Sequence, residues 1–253
     1  MDKVYIKNVS VNYHSVSAET KALKNISFKV PDGDFVSIVG PSGCGKSTLL
    51  NIIAGLLKPS SGEVFIDNIL VKGVSPKIGY MFQKDNLFQW LSVWDNVALG
   101  LKIKKELNDK TKQKIEELLE KYDLKDFKDH HPNELSGGMR QRVALIRTLV
   151  LDPEVLLLDE PFSALDYQTR LNVGSEICEI IKTECKTAIM VTHDIAEAVS
   201  ISKRVIVLSK RPATLKKDVK ITLPDVSPIK RRECPDFSLY FNDVWKEMDI
   251  NEG

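Results

Sequence analysis

The spacing of hydrophobic positions changes along the chain, and each change marks an element. Val4, Ile6, Val9 and Val11, then Ile26, Phe28 and Val30, alternate with polar residues as half-buried strands do, and Pro31-Asp32-Gly33 turns the chain after the second. DFVSIVG at 34–40 is a short apolar run ending in glycine, which predicts a fully buried strand. A helical pattern occupies 47–57, and SGEVFIDN (61–68) and KIGYMFQ (77–83) predict two further strands. From 93 to 122 the period is helical, with Ile115, Leu118, Leu119 and Tyr122 forming an apolar stripe. Met139, Val143, Ile146 and Val150 predict another helix. EVLLLDEP (154–161) and TAIMVTHD (187–194) are buried strands flanking a helix over 168–183, and a short helix starts at Ile195. RVIVLS (204–209) and VKITLP (219–224) close the series as strands, and the residues after 224 read as a short surface tail. Strands alternating with helices predict an α/β protein with a mainly parallel sheet, interrupted by a helical insertion.

Composition changes this picture little. Of 253 residues, 43% are hydrophobic and 28% charged, as in ordinary globular proteins. Lys+Arg 36 against Asp+Glu 35 gives no net field for nucleic acid or anionic lipid, and no nucleic-acid partner is expected. The lysines around 102–105 and 110–114 read as the solvated face of helices. The start, MDKVYIKNVSVNY, lacks the apolar core of a signal peptide, and no run approaches the roughly 18 apolar residues of a membrane span. A membrane role therefore has to come through a partner. Cys44, Cys178, Cys185 and Cys234 have no metal-ligand spacing and read as buried thiols in a reducing compartment. His130 and His131, before Pro132, read as solvated or capping side chains.

The chemistry is concentrated in short motifs. GPSGCGKST (Gly40, Pro41, Ser42, Gly43, Cys44, Gly45, Lys46, Ser47, Thr48) matches the phosphate-loop pattern and lies between a predicted strand and a predicted helix. Its backbone N–H groups would wrap a β-phosphate, Lys46 would reach the β- and γ-phosphates, and Ser47 would offer a hydroxyl to Mg²⁺. Asp159 and Glu160 end an apolar strand, where side chains project at the ligand edge of such sheets. Adjacent acids there either solubilise a loop or work on the nucleotide. Beside a phosphate loop, Asp159 is assigned to Mg²⁺ through water and Glu160 to the attacking water as general base. His193, just past a strand, is placed to sense a γ-phosphate. Ser136-Gly137-Gly138 opens a helix with bare N–H groups, a second anion cradle.

LSGGMRQR (135–142) resembles the signature motif of ATP-binding cassette (ABC) ATPases. GPSGCGKST, Gln83 in YMFQ, VLLLDEP (155–161), SALD (163–166) and His193 complete that family's set in the right order over most of the chain. The resemblance implies a P-loop NTPase with a RecA-like parallel core, an N-terminal antiparallel β subdomain and a helical subdomain at about 87–145. The ATPase domain would span 1–225, and 226–253 would form a short tail. It implies ATP and Mg²⁺ as ligands, with Ser47, Gln83 and Asp159 around the metal. A second copy would pair head to tail, so that Ser136, Gly137 and Gly138 bind a nucleotide held by the other chain. Asp166 would lie in that interface. Tyr13 would stack on adenine, or simply pack locally at a strand end. The implied partners are integral membrane permease subunits at the cytoplasmic face of the membrane and, indirectly, a solute-binding protein.

The stretches 82–101 and 204–224 are similar to those of nitrate/sulfonate/taurine importer cassettes, although Gln89 stands where relatives often carry proline. An exporter cassette and a soluble, non-transport ABC ATPase are the alternatives. Trp90 and Trp94 are either core of the helical insertion or a seat for the membrane partner.

Overall fold

The structure is a computed structural model that describes residues 1–14 and 19–248. Strands β1 (Asp2–His14) and β2 (Glu19–Pro31) pair antiparallel, then β3 (Phe35–Val39) leads into α1 (Lys46–Ile53), β4 (Ser61–Ile66) and β5 (Ile69–Leu70). These form a four-stranded antiparallel sheet in the order β2-β1-β4-β5, with β3 excluded. A strict alternation would put Val4 and Ile6 on one face of β1 and Val9 and Val11 on the other, yet all four are buried. A bulge reconciles them. The register shifts between Ile6 and Val9, and Asn8 sits at φ 51 with its N–H donated to Ser27 Oγ at 2.8 Å.

The chain continues as β6 (Ile78–Met81), α2 (Val93–Lys104), α3 (Asp109–Lys121), α4 (Gly137–Leu149), β7 (Val155–Asp159), α5 (Tyr167–Thr183), β8 (Thr187–Val191), α6 (Ile195–Ile201), β9 (Arg204–Leu208), β10 (Leu215–Lys220), α7 (Pro228–Arg232) and α8 (Phe237–Met248). The second sheet runs β10-β9-β3-β8-β7-β6, parallel except for β10 at its edge. Its apolar strands feed two cores at once. Leu156, Leu158, Ala188 and Met190 face the helical side, while Val155, Leu157, Ile189 and Val191 face α1 and the antiparallel sheet. Lys3 and Lys77, against Asp67 and Glu154, tie the antiparallel sheet to the parallel one at 2.5–3.0 Å.

Several expectations shift. The helix predicted over 47–57 ends at Ile53, because the N–H groups of Leu56 and Leu57 fold back onto Asn51 O (2.9 and 3.1 Å). The 93–122 segment is two helices, separated where Lys105 caps α2 in the left-handed region and Asn108 begins a capping box for α3. The last strand lies at Leu215–Lys220 rather than 219–224. It pairs with β9 from Leu208 down to Arg204, so its length is set by its partner. Cys185 is exposed at φ 50 just after α5, so it is not the buried thiol expected; Cys178 and Cys234 are half-buried, and Cys44 is buried. The tail packs: Val244 on α8 is fully buried against β9, β10 and α6.

Candidate functional site

The phosphate loop leaves the C-terminal end of β3, in the middle of the parallel sheet. Gly43 (φ 71) and Gly45 (φ 121) turn it, and a Cβ on Gly45 would lie 2.8 Å from Leu23 Cδ2. Lys46 is 6% exposed, and its ammonium donates to Gly40 O (2.8 Å) and Pro41 O (3.1 Å), bracing the loop. Cys44 is buried within it, and that burial raises its thiol pKa against the pull of Lys46. Tyr13 is 44% exposed, and its hydroxyl lies 3.2 Å from Thr48 Oγ1, which puts the ring at the end of the loop.

Next to β3 in the sheet is β8, and next to that β7, so Asp159 and Glu160 emerge beside the loop. Ser47 Oγ donates to Asp159 Oδ1 at 2.9 Å, and Tyr80 donates to Asp159 Oδ2 at 3.2 Å. Burial raises the Asp159 pKa, while those two hydrogen bonds pull it down and the charge of Glu160 adds to the rise. A desolvated carboxylate touching a hydroxyl is a donor set that suits a hard divalent cation. Glu160 adopts φ 45, held by its N–H on Val191 O (2.9 Å). Its Oε2 lies 3.1 Å from His193 Nδ1 and 3.4 Å from Gln83 Nε2, and Gln83 also donates to Ser163 Oγ at 3.2 Å. Gln83, Glu160 and His193 therefore converge, although they lie far apart in sequence.

The second expected cradle, 136–138, opens α4. Ser136 caps α4, its Oγ accepting from Met139 N at 3.3 Å, and among the described residues no hydrogen bond joins 136–138 to the phosphate loop. The glycines there also have a packing reason that the sequence does not reveal. A Cβ on Gly137 would meet Leu165 Cδ2 at 2.9 Å, and one on Gly138 would meet Val173 Cγ2 at 2.7 Å. Asp166 caps α5 by accepting from Thr169 N (3.1 Å), with its pKa lowered first by Thr169.

Trp94 is half-buried on the helical core with Lys102 over its ring, whereas Trp90 is 72% exposed beside Phe88. His131 starts a short 3-10 turn, its N–H donated to Glu134 Oε2.

One contact was invisible in the sequence. Arg211, in the loop between β9 and β10, donates to Gly43 O on the phosphate loop. Its neighbour Ala213 exchanges backbone hydrogen bonds with Ala22 and Lys24 (2.9 and 2.8 Å), which fixes the loop against β2. Arg211 belongs to no phosphate-binding pattern, so only the SKRPA turn after a strand hints at it.

The family profile for ABC transporters matches residues 23–163. An uncharacterized ABC transporter ATP-binding protein, YtlC of Bacillus subtilis (strain 168), is 44% identical over 254 residues, covering 100% of this chain and 98% of its own. The aliphatic sulfonates import ATP-binding protein SsuB of Bacillus cereus is 43% identical over 221 residues, 87% of each chain. Among solved structures, a dimeric post-hydrolysis state of the ATP-binding cassette MJ0796 bound to ADP and Pi superposes with TM-score 0.73 at 37% identity. It covers 86% of this chain and 98% of that one. The cassette cbiO1 of Clostridium perfringens, part of the transporter complex cbiONQ, gives 0.76 at 29% identity, over 87% and 89%.

Proposed function

This chain belongs to the ABC transporter family as an ATP-binding, ATP-hydrolysing cassette, and from that premise we propose that it energises an importer for a small organic anion of the sulfonate kind. The convergence of Gln83, Glu160 and His193 beside a phosphate loop is the observation that carries the hydrolytic part of the reading.

On this reading residues 1–225 are the ATPase domain, about 87–145 its helical subdomain, and 226–253 a tail. Tyr13 supports the adenine, and the N–H groups of Gly43, Gly45, Ser47 and Thr48 line the phosphates, with Gly40, Pro41, Ser42 and Cys44 shaping the turn through the Cys44 N–H donated to Pro41 O at 3.2 Å. Lys46 supplies the fixed cation. Ser47, Gln83 and Asp159, the last through water, would hold Mg²⁺, which when bound neutralises phosphate charge. Glu160 accepts the proton of the attacking water, and His193 and Gln83 fix the direction in which its carboxylate points. Ser136, Gly137 and Gly138 serve a nucleotide on a second copy, and Asp166 sits in the interface between copies. The dimeric neighbour with ADP and Pi supports that pairing. ATP then joins two cassettes, and loss of its γ-phosphate releases them.

No helix among the described residues is long and apolar enough to cross a membrane. By likeness to cassettes of transporter complexes, the proposed seat is the cytoplasmic face, on permease subunits, with a solute-binding protein delivering cargo. Exposed Phe82, Phe88 and Trp90, adjoining Gln83, are the surface proposed to meet the permease. Asn96, fully buried, pins that loop by donating to Phe88 O, Leu91 O and Ser92 O. The sulfonate assignment leans on the SsuB relatives. In cells deleted for this chain, uptake of labelled alkanesulfonate is expected to vanish and to return with the wild-type chain. Unchanged uptake of alkanesulfonate would overturn the cargo assignment.

A further inference from the structure

The parallel strands carry the nucleotide machinery at their C-terminal ends. At the opposite edge, where β3 and β9 begin, lies a cavity of about 250 Å³. Phe35, Ile201, Val226 and Pro228 supply apolar wall. Four cations, Lys182, Lys186, Lys203 and Arg231, face two carboxylates, Glu179 and Asp225. The lysines are spoken for: Lys182 pairs with Asp225 at 2.7 Å, Lys186 with Asp152 at 2.7 Å, and Lys203 with Asp34 at 3.4 Å.

Arg231 is different. It is 7% exposed, its Nη1 donates to Ser200 O at 3.0 Å, and its Nε has no hydrogen-bond partner. Among the described residues no carboxylate lies within ion-pair distance of it. Burial pulls its pKa down, outweighing the opposing charge of Asp225, which lines the same cavity beyond ion-pair distance and is itself paired with Lys182. A buried charge is ordinarily paired, because desolvation is otherwise uncompensated. Arg231 also lines a second, more open cavity of about 570 Å³, so it forms the wall between two spaces rather than part of a sealed core.

We propose that the 250 Å³ cavity is a binding site for a small organic carboxylate, whose anionic head is the missing counter-ion of Arg231 and whose hydrocarbon body lies on Phe35, Ile201 and Val226. The requirement for both halves follows from the lining. A guanidinium recognises the carboxylate through charge-assisted hydrogen bonds, and the apolar wall rejects a bare hydrated ion. One element links the site to the far edge that carries the catalytic apparatus: Ser200, bound by Arg231, is in the last turn of α6, which starts after His193. Arg232 Nε reaches the same residue, donating to Ser200 Oγ at 3.4 Å.

Calorimetric titration of the full chain, saturated with ADP to occupy the phosphate loop, tests the proposal with isovalerate as probe. Saturable one-to-one binding is expected, weakened by about tenfold or more in Arg231→Met, where the charge is lost. Arg231→Lys should keep part of the affinity. Val226→Trp, which retains the charge but blocks the mouth, should weaken isovalerate comparably and decides the matter should Arg231→Met not fold. Absence of saturable heat would overturn the site, and so would equal affinity in Val226→Trp and wild type. Sulfate binding as tightly as isovalerate would reduce it to an adventitious ion only.

Discussion

Glu160 is held with its backbone at φ 45 and its carboxylate between His193 and Gln83. A non-glycine residue in that region persists only where its surroundings fix it, and here the N–H on Val191 O does so. Glu160→Gln keeps shape and removes basicity. Phosphate release should fall by roughly 10²–10⁴-fold while ATP binding persists, and the ATP-loaded variant should elute as a dimer from a sizing column. Normal turnover would remove Glu160 as the base. Arg211 invites a different expectation. Its guanidinium anchors Gly43 O, so Arg211→Ala should raise the ATP concentration for half-saturation by roughly 5–10-fold, with thermal stability hardly changed because the side chain is exposed. Unaltered half-saturation would reduce the contact to loop decoration. The two carboxylates at a strand end were legible because a motif has fixed spacing. The reach of Arg211 was not, since it depends on how the β9–β10 loop folds back over β2.

Among the elements, α6 begins just after His193 and carries a buried acid in its first turn. Asp194 caps the helix by accepting from Glu197 N at 3.0 Å, and Thr192 donates to Glu197 from the turn that carries His193. Glu197 is 5% exposed, and burial first, then the charge of Asp194, pushes its pKa up to about 7 from 4.5, against Thr192, Arg170 and Arg232. A carboxyl whose folded pKa is raised binds its proton more tightly in the folded state. Its contribution is therefore intact below about pH 4.5 and is lost as pH rises to about 7. The loss amounts to about 3 kcal/mol. Glu197→Gln should match wild type in urea midpoint at pH 4 and exceed it at pH 8.5; equal differences at both values would show that Glu197 does not titrate in this range. Helix and strand order were readable from period alone, because a stripe at helical spacing or a wholly apolar run has few ways to be buried. Boundaries were less so. The end of α1 and the split between α2 and α3 were set by local caps that the hydrophobic period does not show, and the extent of β10 by its partner β9.

At the scale of the whole molecule, the 136–138 turn packs on Leu165 and Val173 while the phosphate loop packs on Leu23, Leu208 and Arg211, and on the proposed reading a lone copy holds two half-sites. Turnover per molecule should fall on dilution, approaching second-order behaviour. Ser136→Arg should abolish hydrolysis while leaving the monomer's nucleotide affinity within about twofold, because that residue serves another copy's ligand. Collapse of monomer affinity, or turnover independent of concentration, would place the cradle in its own chain's site. The sequence by itself determined the alternation of strands and helices as far as β9, the phosphate loop, the acidic strand end and the signature, because each is written in neighbouring residues. It missed the break between α2 and α3 and the helices α7 and α8 in the tail. Only the tertiary structure brought Gln83 and His193 to Glu160, laid Arg211 on the loop, exposed Cys185 and buried Arg231 without a counter-ion. Those relations join residues far apart along the chain, and they are decided by the order in which strands take their places in the sheet.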